Sequence, residues 1–188
     1  MTKVVIDIAM SLDGYVAGPN DGPEHGLGEN GGSRIMGWDP TERLKDINRG
    51  NTGAMITGRR TYDITNGWNG THDLGGGIPV FVLTESVPSE VPAGTTPFTF
   101  VTDGIESAVK QAKAVAGDKN VYVIGGANVI QQLLNNRLAD ELRVHIAPVF
   151  VGDGVLLFKD LDHRISLTQT EVRDYAGVTH ITYTCNKT

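Results

Sequence analysis

The residues from Val121 to Asn128 combine a β-branched apolar run with paired glycines and the start of a helical pattern. A strand that passes through Gly125 and Gly126 into a helix leaves backbone N–H groups unpaired at the helix start, with no side chain to block a close approach. Such a junction suits a diphosphate, with Ala127 and Asn128 on the first turn. A tight turn without any ligand is the alternative interpretation.

A second strand-to-helix pattern carries charge. Gly58, Arg59, Arg60 and Thr61 follow an apolar run. The planar guanidinium group presents a fork of donors that matches phosphate oxygens, and a hydroxyl group can add a further bond. Two solvated arginines would explain the same residues. Because ligands of open α/β sheets gather outside the carboxyl ends of the strands, two such junctions together favour a shared phosphate site.

The first apolar run offers a surface for a flat ring. Residues 4–10 predict a buried strand, in which the small Ala9 leaves space for a ring to lie against the backbone. Asp13 and Gly14 then turn the chain. Asp13 is a candidate catalytic or substrate-contacting carboxylate, although turn formation explains the same pair.

Other chemistries find little support in the sequence. The histidines at positions 25, 72, 145, 163 and 180 lack a two-histidine metal spacing, so we predict no metal site. No Gly-x-Ser-x-Gly motif is present, and Cys185 lies near the end of the sequence without a catalytic signature. A single thiol is typical of a reducing compartment.

Composition bounds the class of protein. The 188 residues carry a formal net charge of −6, and we expect one domain over residues 1–188. An acidic chain without a basic stripe is a poor partner for nucleic acid. No run approaches the roughly 20 apolar residues that a membrane span needs, and the first residues lack the apolar core of a signal peptide. We therefore predict a cytoplasmic protein that binds neither membranes nor nucleic acid.

The elements that would position these residues alternate. We predict strands over residues 4–10, 52–57, 79–84, 98–102, 121–124, 141–147, 165–174 and 178–185, and helices over 40–49, 104–116 and 127–134, with a short helix after Gly58. Asp39 is the predicted cap of the first helix. The glycine-rich residues 18–37 form a long loop of the kind that covers binding sites. The order predicts an α/β fold, a mostly parallel central sheet with a C-terminal antiparallel hairpin.

Four segments in this order resemble the dihydrofolate reductase-like family, and most closely stand-alone proteins similar to the C-terminal reductase domain of the bifunctional riboflavin-biosynthesis deaminase-reductase. The segments are residues 9–14, 57–62, 123–126 and 146–154. The resemblance implies a three-layer fold and NADPH bound across the sheet, with NADH as the alternative. It places the nicotinamide near Ala9, Val16 and Ile124, the diphosphate between the two glycine junctions, and the 2′-phosphate near Thr84. It also implies a homodimer and a loop over residues 18–37 that closes on the ring.

The chain departs from the family pattern at three positions. Pro40 stands where dihydrofolate reductases hold the pterin with a carboxylate, which leaves the adjacent Asp39 as a second candidate acid. Val144 replaces the accompanying threonine. Glu85 lies where the 2′-phosphate is expected, and a carboxylate would repel that phosphate but accept a hydrogen bond from a bare ribose.

The resemblance and the residues together predict a reductase. Hydride would pass from NAD(P)H to an imine or carbonyl of a small pyrimidine- or pterin-type heterocycle, and a riboflavin-precursor-like substrate is favoured over folate. The alternative is a nucleotide-binding sensor or a catalytically inactive homologue with the same fold.

Overall fold

A computed structural model describes residues 2–37, 50–72 and 77–187 of the chain. The predicted helix over residues 40–49 and the candidate acid Asp39 lie outside these ranges. Every helix within them is too short or too polar to span a membrane.

Eight strands form one sheet: β1 (Val4–Ser11), β3 (Thr52–Gly58), β4 (Val80–Leu83), β5 (Phe98–Val101), β6 (Asn120–Val123), β7 (Glu141–Ala147), β9 (Leu167–Tyr175) and β10 (Val178–Cys185). Their order across the sheet is β5-β4-β3-β6-β1-β7-β10-β9. The strands from β5 to β7 pair in parallel, whereas β10 runs antiparallel to both β7 and β9. The predicted fold class, a mostly parallel α/β sheet with an antiparallel C-terminal hairpin, is confirmed.

In the described part of the chain, three α-helices cover the two faces of this sheet: α1 (Arg59–Ile64), α2 (Ile105–Ala116) and α3 (Ala127–Asn135). Helices α2 and α3 bury apolar stripes on the face of the sheet that carries Val4 and Ile6. Helix α1 packs Tyr62 on the opposite face, beside Val5. This sandwich of helices around a sheet is the predicted three-layer arrangement.

A second, small sheet lies within the loops and was not predicted. Strand β2 (Tyr15–Ala17) pairs with β8 (Val155–Leu156) in antiparallel fashion. Strands of two or three residues carry too little periodicity to be found in a sequence. The loop over residues 18–37 also has local structure: a 3₁₀ turn at Gly32–Met36, and a hydrogen bond from the Gly18 N–H to the Leu27 carbonyl.

The parallel strand order sets the position of the site. Strand β6 lies between β3 and β1, so the carboxyl ends of these three strands are neighbours. Two of them continue into α1 and α3, and a backbone hydrogen bond of 3.0 Å from the Gly58 N–H to the Gly125 carbonyl ties these two junctions together. The glycine junctions therefore lie side by side at one edge of the sheet.

Candidate functional site

A cleft of about 1040 Å³ opens at the carboxyl ends of the parallel strands. Both glycine junctions, the end of β4 and the loop over residues 18–37 line it. Every cofactor-binding residue that the sequence predicts lies in this lining: Ala9, Val16, Gly58, Arg59, Arg60, Thr61, Thr84, Ile124, Gly125, Gly126, Ala127 and Asn128. Their binding roles stay predictions, but they surround one cleft.

The junction of β6 with α3 presents bare backbone to the cleft. Gly126 is the N-cap residue of α3 and has no side chain, so no capping side chain accepts a hydrogen bond from the first N–H groups of this helix. Gly125 has a φ of +119°, which residues with a side chain rarely adopt. A Cβ atom added to Gly126 would lie 3.3 Å from Thr61 Oγ1. The absence of side chains here keeps open a space that fits a diphosphate.

The junction of β3 with α1 supplies two guanidinium groups, and both have acidic partners. Arg59 Nε donates to the two carboxylate oxygens of Asp63 at 2.8 and 3.0 Å, and its Nη1 donates to the Ser86 carbonyl at 2.9 Å. Arg60 Nε donates to Asp21 Oδ2 at 2.7 Å. Each arginine is therefore already paired with an acidic side chain before any phosphate binds.

The Arg60–Asp21 pair fastens the glycine-rich loop to α1. Besides the bond to the carboxylate, Arg60 Nη2 donates to the backbone carbonyl of Asp21 at 2.6 Å. The hydrogen bond to Asp21 raises the pKa of Arg60 above its usual value. A bidentate contact of this kind fixes the relative orientation of the two residues as well as pairing their charges. The pair therefore keeps this part of the loop over the cleft.

The other end of the cleft is apolar. Ala9 and Ile124 both line the cleft and are 1% and 8% exposed, so they form its apolar floor. The sequence did not predict Asp21, or Met36 and Trp68, which join the lining from short 3₁₀ segments at Gly32–Met36 and Asn66–Gly70. Their spacing in the sequence carries no periodic signal, and only the folded path of the loops brings them to the cleft.

Asp13 lies outside the lining of the cleft and holds a turn together. Its carboxylate accepts hydrogen bonds from the Ser11 hydroxyl and from the backbone N–H groups of Val151 and Gly152, the last at 2.8 Å. These bonds, led by the one from Ser11, lower the pKa of Asp13. An ionised carboxylate that is already bonded in this way is not a proton donor at neutral pH, so the geometry supports the turn interpretation.

Glu85 and Ser86 follow Thr84 at the end of β4 and line the far end of the cleft. Thr84 Oγ1 donates to the Ser86 carbonyl at 2.8 Å, which fixes the turn. Glu85 is exposed, and no hydrogen bond or ion pair with another residue of the described ranges engages its carboxylate.

A buried polar cluster lies among the central strands, and we did not predict it from the sequence. Asp7 is 1% exposed and alternates with Ala9 on the same face of β1. Asp7 Oδ1 lies 3.2 Å from His145 Nε2, and Tyr122 Oη donates to Asp7 Oδ2 at 3.1 Å. His145 Nδ1 lies 2.7 Å from His180 Nδ1. The signal that could have revealed the cluster is the acid within an otherwise apolar strand.

His180 makes the stability of the fold depend on pH. Burial lowers the pKa of His180, with the nearby His145 and Arg173 adding to the effect against the opposing hydrogen bond to the Tyr175 carbonyl. His180 is therefore neutral in the fold at a pH where an unfolded histidine, with a pKa of about 6.5, begins to bind a proton.

We expect the free energy of unfolding to fall as the pH drops from about 7.5 to 5.5, because the unfolded chain takes up the proton more readily. In His180→Asn this pH dependence should be shallower, whereas the exposed His25→Asn should retain it. Urea unfolding followed by circular dichroism across this range measures both. Equal slopes in all three proteins would contradict this account of His180.

Cys185 has no role in the site. It is buried away from the cleft, and burial raises the pKa of its thiol to about 11. A neutral thiol is a poor nucleophile. Within the described ranges, no cluster of three or more potential metal ligands occurs.

Comparison with known proteins finds a matching family model and relatives that align over most of the chain. The family model of the RibD C-terminal domain matches residues 2–181. The uncharacterized protein YyaP of Bacillus subtilis is 29% identical over 198 residues, which cover 98% of this chain and 95% of YyaP. The dihydrofolate reductase HdrB of Haloferax volcanii is 31% identical over 154 residues, with 79% of this chain and 73% of HdrB covered.

A solved structure shows the same fold. The putative riboflavin biosynthesis protein from Shewanella sp. PV-4 superimposes with a TM-score of 0.76 at 24% identity, covering 99% of this chain and 100% of that one. At this identity the likeness concerns the fold.

Proposed function

The chain belongs to the RibD C-terminal domain family, and from that premise we propose that it is a reductase that takes hydride from a reduced nicotinamide dinucleotide. The acceptor is an imine or carbonyl of a small pyrimidine- or pterin-type heterocycle. One observation carries the proposal: the bare backbone at Gly125 and Gly126 and the arginine-bearing junction at Gly58 line the same cleft, side by side.

The residues that line the cleft match the three parts of such a dinucleotide: the diphosphate, the nicotinamide and the adenosine. The N–H groups at the start of α3, together with the hydroxyl of Thr61, would hold the diphosphate. Ala9, Val16 and Ile124 would form the surface against which the nicotinamide lies. The adenosine would extend past β3 towards Thr84.

The bound nicotinamide would supply the hydride, and the chain supplies position and a dry environment. The apolar floor excludes water beside the ring, and the loop held by Arg60 and Asp21 covers the cleft. The carboxylates in the described lining are those of Asp21, which is bonded to Arg60, and of Glu85, which follows β4. We propose that one bound water, rather than either of these side chains, donates the proton to the acceptor, while the apolar floor keeps bulk water away. Replacing Asp13 or Asp39 with asparagine tests the prediction that either carboxylate is catalytic.

The favoured substrate is a riboflavin-precursor-like pyrimidine. Pro40 occupies the position at which the resemblance calls for a pterin-binding carboxylate, which argues against folate. The relative HdrB, whose name describes a dihydrofolate reductase, keeps a pterin as the second candidate.

We also propose that the protein acts as a cytoplasmic homodimer, as the resemblance implies. The strand at the edge of the sheet, β9, is exposed along its whole length. An unpaired edge is a natural surface for a second copy, although such edges also occur in monomers.

Dinucleotide binding is the first test. We expect NADH or NADPH to raise the melting temperature, because a ligand that binds only the folded chain stabilises it by about 2.7 kcal/mol at a hundred times its Kd. AMP at equal concentration is the control. A shift without oxidation of the dinucleotide by pyrimidine or pterin acceptors would favour the alternative, a nucleotide sensor or inactive homologue. No shift at millimolar dinucleotide would refute the proposal.

A further inference from the structure

We propose that this cleft selects the dinucleotide with a bare ribose, NADH, over its 2′-phosphorylated form, NADPH, and that Glu85 is the residue that makes the selection. The inference rests on the proposed function and refines it, since it departs from the NADPH that the family resemblance implies. Three observations carry it: the strand order, the free carboxylate of Glu85, and the acidic partners of both arginines.

The strand order places the adenosine ribose at the end of β4. A dinucleotide with its nicotinamide over β1 and its diphosphate between β6 and β3 must continue over β4 and β5, because those strands come next in the sheet. The lining there consists of Thr84, Glu85 and Ser86 after β4, with Thr102 and Gly104 after β5. The ribose hydroxyls therefore meet the turn that contains Glu85.

A carboxylate at this place distinguishes the two dinucleotides. In dinucleotide sites of α/β proteins an acid accepts a hydrogen bond from the ribose 2′-hydroxyl, whereas an arginine accommodates a 2′-phosphate. Glu85 lines the cleft, and its carboxylate has no hydrogen-bonding partner in the described ranges. It can accept a bond from a hydroxyl group, but it repels a phosphate of the same sign.

The nearby arginines do not offset this charge. Arg59 is held by Asp63 and by the Ser86 carbonyl, and Arg60 is held by Asp21. The charged side chains of the described lining are two arginines and the carboxylates of Asp21 and Glu85, and the partner Asp63 adds a further negative charge. Among the described lining residues, a 2′-phosphate would thus meet no guanidinium group without an acidic partner, and Arg59 would first have to leave Asp63.

Such a release is the main competing possibility, because the Arg59–Asp63 pair is partly exposed. The side chains of Arg59 and Asp63 are 34% and 40% exposed, and exposed ion pairs of this kind are weak. If Arg59 moved to the phosphate, NADPH would bind as well as NADH despite Glu85. Measured affinities for the two dinucleotides separate these cases.

The experiment is calorimetric titration of the full chain with NADH and with NADPH. We expect the Kd for NADH to be lower by at least about tenfold, and Glu85→Gln to bring the two values within about threefold by strengthening NADPH binding. Glu90→Gln removes an exposed carboxylate outside the cleft lining and should preserve the preference. Circular dichroism confirms that each variant folds.

The outcomes separate the inference from the proposed function. NADPH affinity equal to or above NADH affinity in the unaltered chain would overturn the inference and leave the reductase intact. A preference for NADH that Glu85→Gln does not change would overturn the role of Glu85. Binding of neither dinucleotide would overturn both proposals together.

Discussion

Replacing Gly126 with valine is expected to weaken dinucleotide binding by about a hundredfold or more, which corresponds to the loss of one or two hydrogen bonds to a charged group. The reason is the bare helix start. A Cβ on Gly126 would already lie 3.3 Å from Thr61 Oγ1, and the two methyl groups of valine would extend into the space beside it. The diphosphate could then no longer approach the N–H groups of α3.

The fold should tolerate this substitution, so that binding and stability separate. Gly126 has a φ of −86° and a ψ of −171°, an extended conformation that every residue adopts. Gly126→Ala, which adds only the Cβ, should have an intermediate effect on the Kd. Ala114→Val, on the exposed face of α2, adds two carbon atoms away from the cleft and should leave the Kd unchanged. Titration calorimetry measures all three, and an unchanged Kd in folded Gly126→Val would show that the junction does not hold the diphosphate.

Replacing Asp7 with alanine should lower the free energy of unfolding by about 1–3 kcal/mol, the usual cost of leaving buried polar groups without a hydrogen-bonding partner. The Asp7 carboxylate contacts His145 and Tyr122 inside the protein, where water cannot replace it. Its loss leaves polar atoms buried with fewer partners as well as a small cavity.

Denaturant unfolding of Asp7→Ala and Asp7→Asn checks this expectation. The asparagine variant retains the size of the side chain and one acceptor, so it should lose less stability than the alanine variant. Asp118→Ala removes an exposed carboxylate and should change the free energy of unfolding by less than about 0.5 kcal/mol. A loss below about 1 kcal/mol in Asp7→Ala would mean that the cluster does not stabilise the fold.

The parts of the structure that the sequence predicted are those with local signals. Alternating apolar runs and helical stripes located the eight strands of the main sheet, and glycines after β3 and β6 located both junctions. None of these local signals gives the order of the strands in the sheet. Parallel strands, however, bring their carboxyl ends to one edge of the sheet. This is why two separate glycine patterns sufficed to predict residues that share a cleft.

The parts that were missed depend on contacts between distant residues. Asp21 and Arg60 are 39 positions apart, and the pattern around either residue gives no sign of the pair. Asp7 and His145 are 138 positions apart and meet because β1 pairs with β7. Asp13 shows the opposite case, in which turn chemistry, a local explanation, accounts for the observed contacts.

The central claim is that one dinucleotide spans both glycine junctions, and a crystal structure of the protein grown with NADH tests it most directly. We expect diphosphate oxygens within hydrogen-bonding distance of the backbone nitrogens of Ala127 and Asn128, with the nicotinamide ring against Ala9. Crystals grown with millimolar NADH that show the dinucleotide elsewhere, or only solvent between the two junctions, would contradict it.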